Sequence, residues 1–362
     1  MSLLAQRRPT RQIKIGSVPI GSDAPVCVQS MTTTRTQDAE KTICQIRRLE
    51  RAGCDIIRVA VPDMDAATAI KKIKARIHIP IIADIHFDYR LALASAASGA
   101  DALRINPGNI GQKHKVKAVV SCAKDHGIPI RVGVNAGSLE KKIEKKHGRT
   151  AHAMVESALG NIHILEALNF QNIKVSLKAS DVERTVTAYR LLAKKTSAPF
   201  HVGVTEAGGL FAGITKSAIG IGLLLAEGIG DTIRVSLTRD PVEEVRTGYE
   251  ILRALGIRKR GPELISCPTC GRCKIDVFKI AEQTEKALLE RSSRIKVAIM
   301  GCAVNGPGEA RQADIGIAGG DGKGVLFKKG KVIKKIDQDK LADQLLDEID
   351  TMTKNKDNGK KE

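Results

Sequence analysis

The sequence predicts an α/β protein, an N-terminal (β/α)8 TIM barrel followed by a smaller α/β domain, and three observations carry that prediction. Eight apolar runs rich in Ile and Val alternate with eight helical patterns between residues 25 and 256. The alternation is unbroken, which favours a closed barrel over an open doubly wound sheet. Past Gly256 the rhythm changes and cysteines enter loops rich in Gly and Pro.

The eight runs are PVCVQSM, DIIRVAV, PIIADI, ALRINP, PIRVGVNA, IKVSLKA, PFHVGVTEA and TIRVSLT, beginning at Pro25, Asp55, Pro80, Ala102, Pro129, Ile173, Pro199 and Thr232. Amphipathic stretches follow them, among them those from Asp38, Asp181 and Pro241. Asp opens several and Gly closes several, because Asp accepts the free N–H groups of a first turn and Gly adopts the left-handed closing residue. The early IKIGSVPIG reads as a hairpin placed to cover the barrel bottom. IRKRGPEL reads as a linker, and the predicted domains are 1–258, 262–354 and a basic tail at 355–362. The second domain is expected to hold a helix at DVFKIAEQTEKALLERS, strands at KVAIMG, ADIGIAGG, GVLFKKG and KVIKKID, and a last helix LADQLLDEIDTMTK.

Composition narrows the function classes. Aromatics are 2% and Trp is absent, so the core is built from Ile, Leu, Val and Ala, as suits a sheet buried on both faces. No apolar run reaches the roughly 20 residues that span a bilayer, and the N-terminus lacks a long hydrophobic signal region; the expected location is cytoplasmic, with reduced thiols. The formal charge of +19 fits a lysine-rich surface, an acidic substrate or nucleic acid. Nucleic acid is disfavoured by the scarcity of rings for base stacking.

In such barrels the site lies at the C-terminal strand ends. Reading those ends gives Arg58, Asp84 with His86, Arg104 with Asn106, Arg131 with Asn135, Ser176 with Lys178, Thr205 or Glu206, and Arg234 with Ser236. Five are cations, Arg58, Arg104, Arg131, Lys178 and Arg234. Each one alone is compatible with a structural ion pair. Together they repel one another around one mouth, and a polyanion such as a diphosphate would relieve that repulsion through charge-assisted contacts. Glu206 is expected among these cations in a partly desolvated mouth, as proton donor, base or neutraliser.

Of the eight cysteines, Cys27, Cys44, Cys54 and Cys122 fall in predicted strands or helices and read as small buried hydrophobes. Cys267, Cys270 and Cys273 share the loop CPTCGRCKI, and Cys302 opens GCAVNGPGEA. Structural zinc, with four closed ligands, and an iron–sulfur cluster both remain open. Three cysteines at successive x2 spacing crowd a single zinc. If Cys273 is not a ligand, Glu309 is available as a fourth donor, and a carboxylate on iron is displaced more easily than a thiolate.

The chain resembles the 4-hydroxy-3-methylbut-2-enyl diphosphate synthase family, iron–sulfur enzymes of the methylerythritol phosphate route to isoprenoids. The resemblance rests on VQSMTTTRTQD (28–38), GCDIIRVAVP (53–62), ADIHFDYRLAL (83–93), RINPGNIG (104–111), RVGVNAGSLE (131–140), VSLKASD (175–181), VGVTEAGG (202–209), CPTCGR (267–272) and GCAVNGPGEA (301–310). It implies a 4Fe–4S cluster held by Cys267, Cys270, Cys302 and Glu309. It implies Glu206 as proton donor, Arg58, Arg131, Lys178, Arg234 and Ser236 as diphosphate ligands, and Asp84, Asn106 and Asn135 near the ring and hydroxyls. Flavodoxin or ferredoxin is the implied electron donor and a head-to-tail homodimer the implied assembly, with no nucleic acid or membrane partner. Cys273 departs from the family's usual residue after CPTCGR and is expected to be a bystander. Two other classes compete: a nucleic-acid-binding protein with a zinc-stapled domain, and a pterin-dependent transferase barrel.

Overall fold

The computed structural model describes residues 3–289, 291, 293–302, 308, 311–320 and 323–358. The chain divides into two compact units, Met1–Arg258 and Lys259–Glu362.

The first unit opens with a hairpin of β1 (Ile13–Ile15) and β2 (Val18–Ile20). Eight parallel strands follow: β3 (Cys27–Met31), β4 (Ile56–Ala60), β5 (Ile81–Asp84), β6 (Ala102–Ile105), β7 (Ile130–Asn135), β8 (Ile173–Lys178), β9 (His201–Val202) and β10 (Thr232–Ile233). Their order is β8-β7-β6-β5-β4-β3-β10-β9. A parallel bridge between Val175 and Phe200, in which Val175 N donates to Pro199 O at 3.0 Å, joins the two edges and closes the barrel.

Helices return the chain between strands: α1 (Ala39–Ala52), α2 (Met64–Lys74), α3 (Tyr89–Ala97), α4 (Pro107–Ile110), α5 (Lys113–Asp125), α6 (Lys141–His147), α7 (Ala151–Glu166), α8 (Val182–Ala193), α9 (Leu210–Ala226) and α10 (Pro241–Ala254). The carboxylates of Asp38, Asp63, Asp88, Asp181 and Asp240 accept first-turn N–H groups of α1, α2, α3, α8 and α10. Each such cap is worth about 1 kcal/mol. Gly53 closes α1 in the left-handed conformation, φ 100°, its N–H returning to Glu50 O.

Strand alternation divides the barrel residues into two sets. Ile57, Val59, Ile81, Ala83, Leu103, Ile105, Ile130, Val132, Ile173, Val175 and Val202 are buried together with apolar helix residues in the main core. The opposite face turns inward. At the bottom it is apolar: Cys27, Ile56, Ile82 and Ala102 pack against Ile13, Ile15 and Ile20 of the hairpin, which covers that end as expected. The N-terminal segment also seals the bottom. Arg8 lies 4.1 Å over the Phe200 ring and donates to Ala198 O at 2.7 Å, and Arg7 pairs with Asp231 at 2.8 Å. Further up, the inward face becomes polar.

The second unit is a five-stranded sheet, ordered along the chain: β11 (Glu263–Ser266), β12 (Lys296–Met300), β13 (Ile315–Gly319), β14 (Lys323–Lys328) and β15 (Lys331–Asp337). The first three are parallel and the last two join antiparallel. Helices α11 (Val277–Leu288) and α12 (Leu341–Asn358) accompany the sheet, with Ile280, Leu288, Val297, Ile299, Ile317, Leu341 and Leu345 in one buried cluster. One expectation is corrected here. Glu263 and Leu264 belong to β11 rather than to a linker. The strand is a short, partly exposed edge whose register with Lys296 and Val297 comes from its neighbour and not from its own apolar pattern.

Candidate functional site: a cationic barrel mouth and a cysteine-bearing sheet end

The inward face of the barrel carries Arg58, Arg104, Arg131, Lys174 and Lys178 on strands β4, β6, β7 and β8, with Arg234 just past β10. One carboxylate, Asp84, stands among them at the end of β5. Arg104 Nη1 reaches Asp84 Oδ1 at 3.2 Å and Arg58 Nε lies 3.8 Å from Oδ2. Burial acts to raise the Asp84 carboxyl, but Arg58, His86, Arg104 and Arg131 outweigh it and hold it well below the usual range. Asp84 is therefore ionised at any ordinary pH. Arg104 also donates to Gly133 O at 3.1 Å, and a Cβ on Gly133 would lie 2.5 Å from Arg104 Nε. Glycine at that strand position is what lets the guanidinium lie across the backbone.

Arg234 finds a different acid. Its Nη2 lies 3.4 Å from Glu244 Oε2 on α10, and the same carboxylate accepts Ser30 Oγ at 3.2 Å and Leu237 N at 3.1 Å. Met31 Sδ stands 2.9 and 3.1 Å from Arg58 nitrogens and 3.9 Å from Arg234 Nη1. The ion-pair reading thus holds for Arg58, Arg104 and Arg234.

Among the described residues Arg131 and Lys178 have no ion pair of that kind. Arg131 is 3% exposed, and its Nε and Nη1 have no hydrogen-bond partner among the described residues. Burial, then Arg58 and Arg104, push its pKa well down; burial, then Arg234, Arg131 and Arg58, do the same to Lys178. Gly203 makes room for the Lys178 amine: a Cβ there would lie 3.0 Å from Lys178 Nζ and 2.2 Å from Arg234 O. One layer below Lys178, Lys174 stands in register with Arg131, and its Nζ is buried without a hydrogen-bond partner among the described residues. Burial, reinforced by Arg131, lowers it to about 7. His201 is fully buried beside Thr232 Oγ1 at 2.9 Å, and burial with Lys178 nearby keeps it neutral. Cations outnumber the carboxylates in this desolvated space, since Asp84 and Glu244 are engaged by Arg58, Arg104 and Arg234; that excess is costly, and an anionic ligand is the partner this geometry can accept.

The polar groups expected at the mouth are on its rim. Asn106 is 4% exposed at the end of β6, its Oδ1 without a partner among the described residues, and Asn135 ends β7 half-buried. Ser236 is half-buried in the turn after β10, and half-exposed His86 lies 3.2 Å from Arg104 Nη1. Glu206 corrects an expectation. It is exposed, four residues past the end of β9, in the left-handed conformation at φ 51°. It is not desolvated among cations, because the short strand has released the backbone well before it. A non-glycine residue held there costs about 1 kcal/mol or more, as functional loops often do. Gln29, Met31, Lys174, His201 and Glu244 were missed. Period-2 counting forward from Cys27 along β3 and back from Lys178 along β8 finds Gln29, Met31 and Lys174; Glu244 and His201 carry no such signal.

In the second unit, Cys267 directly follows β11, and its N–H donates to Ile299 O at 2.9 Å. Cys302 lies two residues past the end of β12. Those strands are parallel neighbours, so both cysteines leave the same end of the sheet. Between them in sequence, Thr269 at φ 70° turns the CPTC loop, and Cys270 is exposed. Cys273 is used locally: its Sγ donates to Ile275 O at 3.1 Å and it packs against the second core. All eight cysteines are free thiols. Among the described residues no three His, Cys, Asp or Glu side chains gather at metal-ligand spacing, and Glu309 lies outside the described residues. The donor chemistry of three accessible thiols leaving one sheet end fits a thiolate-bound centre. The expectation of four buried cysteines is corrected: Cys27 and Cys54 are buried, whereas Cys122 is half-buried and Cys44 exposed on helices whose apolar stripes pass beside them.

A closed (β/α)8 barrel with unpaired cations at its mouth, joined in one chain to an α/β unit with thiols at one sheet end, defines an anion-binding barrel enzyme class with an appended cysteine domain. Residues 10–249 match the GcpE TIM-barrel domain and residues 263–351 the GcpE protein C-terminal domain, and the chain belongs to the GcpE family. It is 58% identical over 342 residues to the 4-hydroxy-3-methylbut-2-en-1-yl diphosphate synthase (flavodoxin) of Geobacter sulfurreducens, covering 94% of this chain and 97% of that one. It is 59% identical over 353 residues to the protein of that name in Caldanaerobacter subterraneus subsp. tengcongensis, covering 97% and 99%. Among solved structures, dihydropteroate synthase from Stenotrophomonas maltophilia matches with a TM-score of 0.51 and 16% identity, over 68% of this chain and 98% of that one. That likeness is one of fold. No helix among the described residues is long and apolar enough to cross a membrane.

Proposed function

We propose that the protein is a 4-hydroxy-3-methylbut-2-enyl diphosphate synthase, an oxidoreductase of isoprenoid precursor biosynthesis in the cytoplasm. Its substrate is 2-C-methyl-D-erythritol 2,4-cyclodiphosphate, which takes up two electrons, opens at a ring C–O bond and loses a hydroxyl as water. The observation that carries the reading is the pair of buried cations Arg131 and Lys178, neither in an ion pair among the described residues, at a mouth whose carboxylates Asp84 and Glu244 already pair with Arg58, Arg104 and Arg234. They hold the diphosphate with Arg58, Arg234 and Ser236, and stabilise charge as the bond breaks. Asp84 keeps Arg58 and Arg104 aimed, and Asn106 and Asn135 orient the ring and hydroxyls. Glu206 delivers the proton to the departing oxygen.

Cys267, Cys270, Cys302 and Glu309 are the residues that would hold a 4Fe–4S cluster, which supplies the two electrons one at a time. The curated relatives are named for flavodoxin, and flavodoxin is the electron donor we propose, with ferredoxin as the alternative. Glu206 is exposed in the single chain, so the desolvation its role needs is assigned to a second copy in a head-to-tail homodimer.

The test is iron, labile sulfide and zinc per chain on protein purified without oxygen, followed by turnover of the cyclic diphosphate. About four iron and four sulfide with turnover support the reading. One zinc and no sulfide, in cells given ample iron, would sink it. Mixing Glu206→Ala with Cys270→Ser chains tests the assembly: verified heterodimers that recover no activity would leave each site within one chain.

A further inference from the structure

The turn after β6 and the turn after β7 reach the mouth separately, and each delivers one polar group, Asn106 and Asn135. Neither turn bonds the other through its backbone. A side chain from outside the mouth joins them. Asn161 on α7 is 2% exposed, and both amide protons and the carbonyl oxygen are engaged. Its Oδ1 accepts Gly108 N at 2.8 Å, two residues past Asn106. Its Nδ2 donates to Glu140 Oε1 at 3.0 Å, five residues past Asn135, and to Ser157 O at 2.8 Å within α7. The polarity is forced: a backbone N–H can only donate and a carboxylate oxygen can only accept.

The packing around this contact leaves no slack. A Cβ on Gly108 would lie 2.8 Å from Glu140 Oε1 and 3.5 Å from Asn161 Oδ1. Absence of a side chain there allows the two turns to close on one amide. Glu140 is also the first residue before α6, where its carbonyl accepts Ile143 N at 2.9 Å. A shift of Glu140 therefore moves the entry to α6 together with the β7 turn.

We propose that Asn161 is a positioning residue: it ties the turn carrying Asn106 to the turn carrying Asn135 and so sets their spacing at the barrel mouth. The inference rests on the reading of those two asparagines as substrate contacts. Asn161 touches no substrate; it acts through Gly108 and Glu140. Misplacement of reacting groups by about 1 Å costs up to ~100-fold in rate, which sets the scale of the effect.

The test is a donor–acceptor inversion. Asn161→Asp keeps the acceptor for Gly108 N but sets a second carboxylate against Glu140. Near pH 8 this variant should lose about tenfold or more in kcat/KM. The loss should shrink toward pH 6, as the two carboxylates come to share a proton. The double variant Glu140→Gln with Asn161→Asp restores a donor facing an acceptor, and should recover most of the loss at pH 8 with no need of acid. A merely structural role predicts a lowered Tm with no such pH recovery and no rescue.

Amide exchange of residues 106–111 and 135–143 is read on the same proteins. It should quicken in both segments in the single variant and slow again in the double. Unchanged exchange, or quickened exchange with unchanged kcat and KM, overturns the proposal. If the unaltered enzyme does not turn over the cyclic diphosphate, the proposed function fails by itself. Exchange together with calorimetric affinity for inorganic pyrophosphate then decides the role of Asn161.

Discussion

The barrel mouth and the cysteine end of the second unit are built by opposite means. The mouth takes its groups from rigid elements. Arg58, Asp84, Arg104, Arg131 and Lys178 stand on strands in fixed register, so their spacing is set by the sheet before any ligand arrives. The cysteine end takes its donors from the loops after β11 and β12; Cys273 and Cys267 also pack against apolar clusters of the sheet, and Cys270 is exposed. The mouth carries its cost as crowded buried cations; the cysteine end carries accessible thiols that would gain further energy when something binds them. Stability and function should therefore trade off at the mouth and rise together at the cysteine end.

The largest effect is expected at the cysteines. Cys267→Ala, Cys270→Ser or Cys302→Ser should each remove most of the iron, abolish turnover to below about a thousandth, and lower Tm, because ligand binding contributes to folding. Iron assay, turnover and calorimetry check this. Full turnover in a variant at any of the three would remove that residue from the ligand set.

Next is Arg131→Met. Loss of a buried charge-assisted contact to a diphosphate should cost about 100- to 1,000-fold in kcat/KM. Iron content should stay unchanged. Tm should rise, because an unpaired buried cation becomes an apolar chain of similar length. A fall in Tm would show that Arg131 already has a structural counter-charge, and the contrast between the two regions would weaken.

Much of this division is legible in the sequence, for reasons that differ by element. Alternating apolar runs mark the eight strands because a parallel sheet covered on both faces needs apolar residues along its length, and Asp marks helix starts because the cap is local chemistry. The runs PFHVGVTEA and TIRVSLT are longer than the strands they form, two residues each, because the backbone leaves the sheet after Val202 and Ile233. Glu206 is misplaced for that reason. Lys174 escapes because attention to strand ends stops at Lys178, although both lie on one face. Glu244 in the first turn of α10 and Asn161 within α7 are recruited by tertiary contacts that no local pattern announces.

Lys174 gives a third, pH-dependent difference. Its amine falls from an ordinary value near 10.5 to about 7 on folding. Below pH ~7 it is protonated in both states and the folded protein bears the whole cost of the buried charge. Between about 7 and 10.5 the unfolded chain binds the extra proton, so stability rises with pH and the penalty fades. Lys174→Met should therefore stabilise the barrel by a few kcal/mol, on the order of the shift, at pH 6.5, and by little at pH 10. Paired denaturation midpoints at the two pH values check it, and an equal gain at both would mean that packing rather than charge is responsible.

The smallest effect separates Cys273 from its neighbours and defines the edge of the cysteine site. Its Sγ donates to Ile275 O at 3.1 Å, and its N–H donates to Cys270 O at 2.9 Å, so it ends the loop that carries Cys267 and Cys270. A Cβ on Gly301 would lie 2.6 Å from that sulfur, so the thiol is wedged against the strand end that leads to Cys302. A group held this way braces the loop and is turned toward protein. Cys273→Ser keeps a donor for the carbonyl but loses the larger, softer sulfur. It should keep full iron and near-normal turnover while losing about 1 kcal/mol of stability in the second unit. Loss of iron in that variant would place Cys273 in the ligand set and leave Glu309 without a role at the metal.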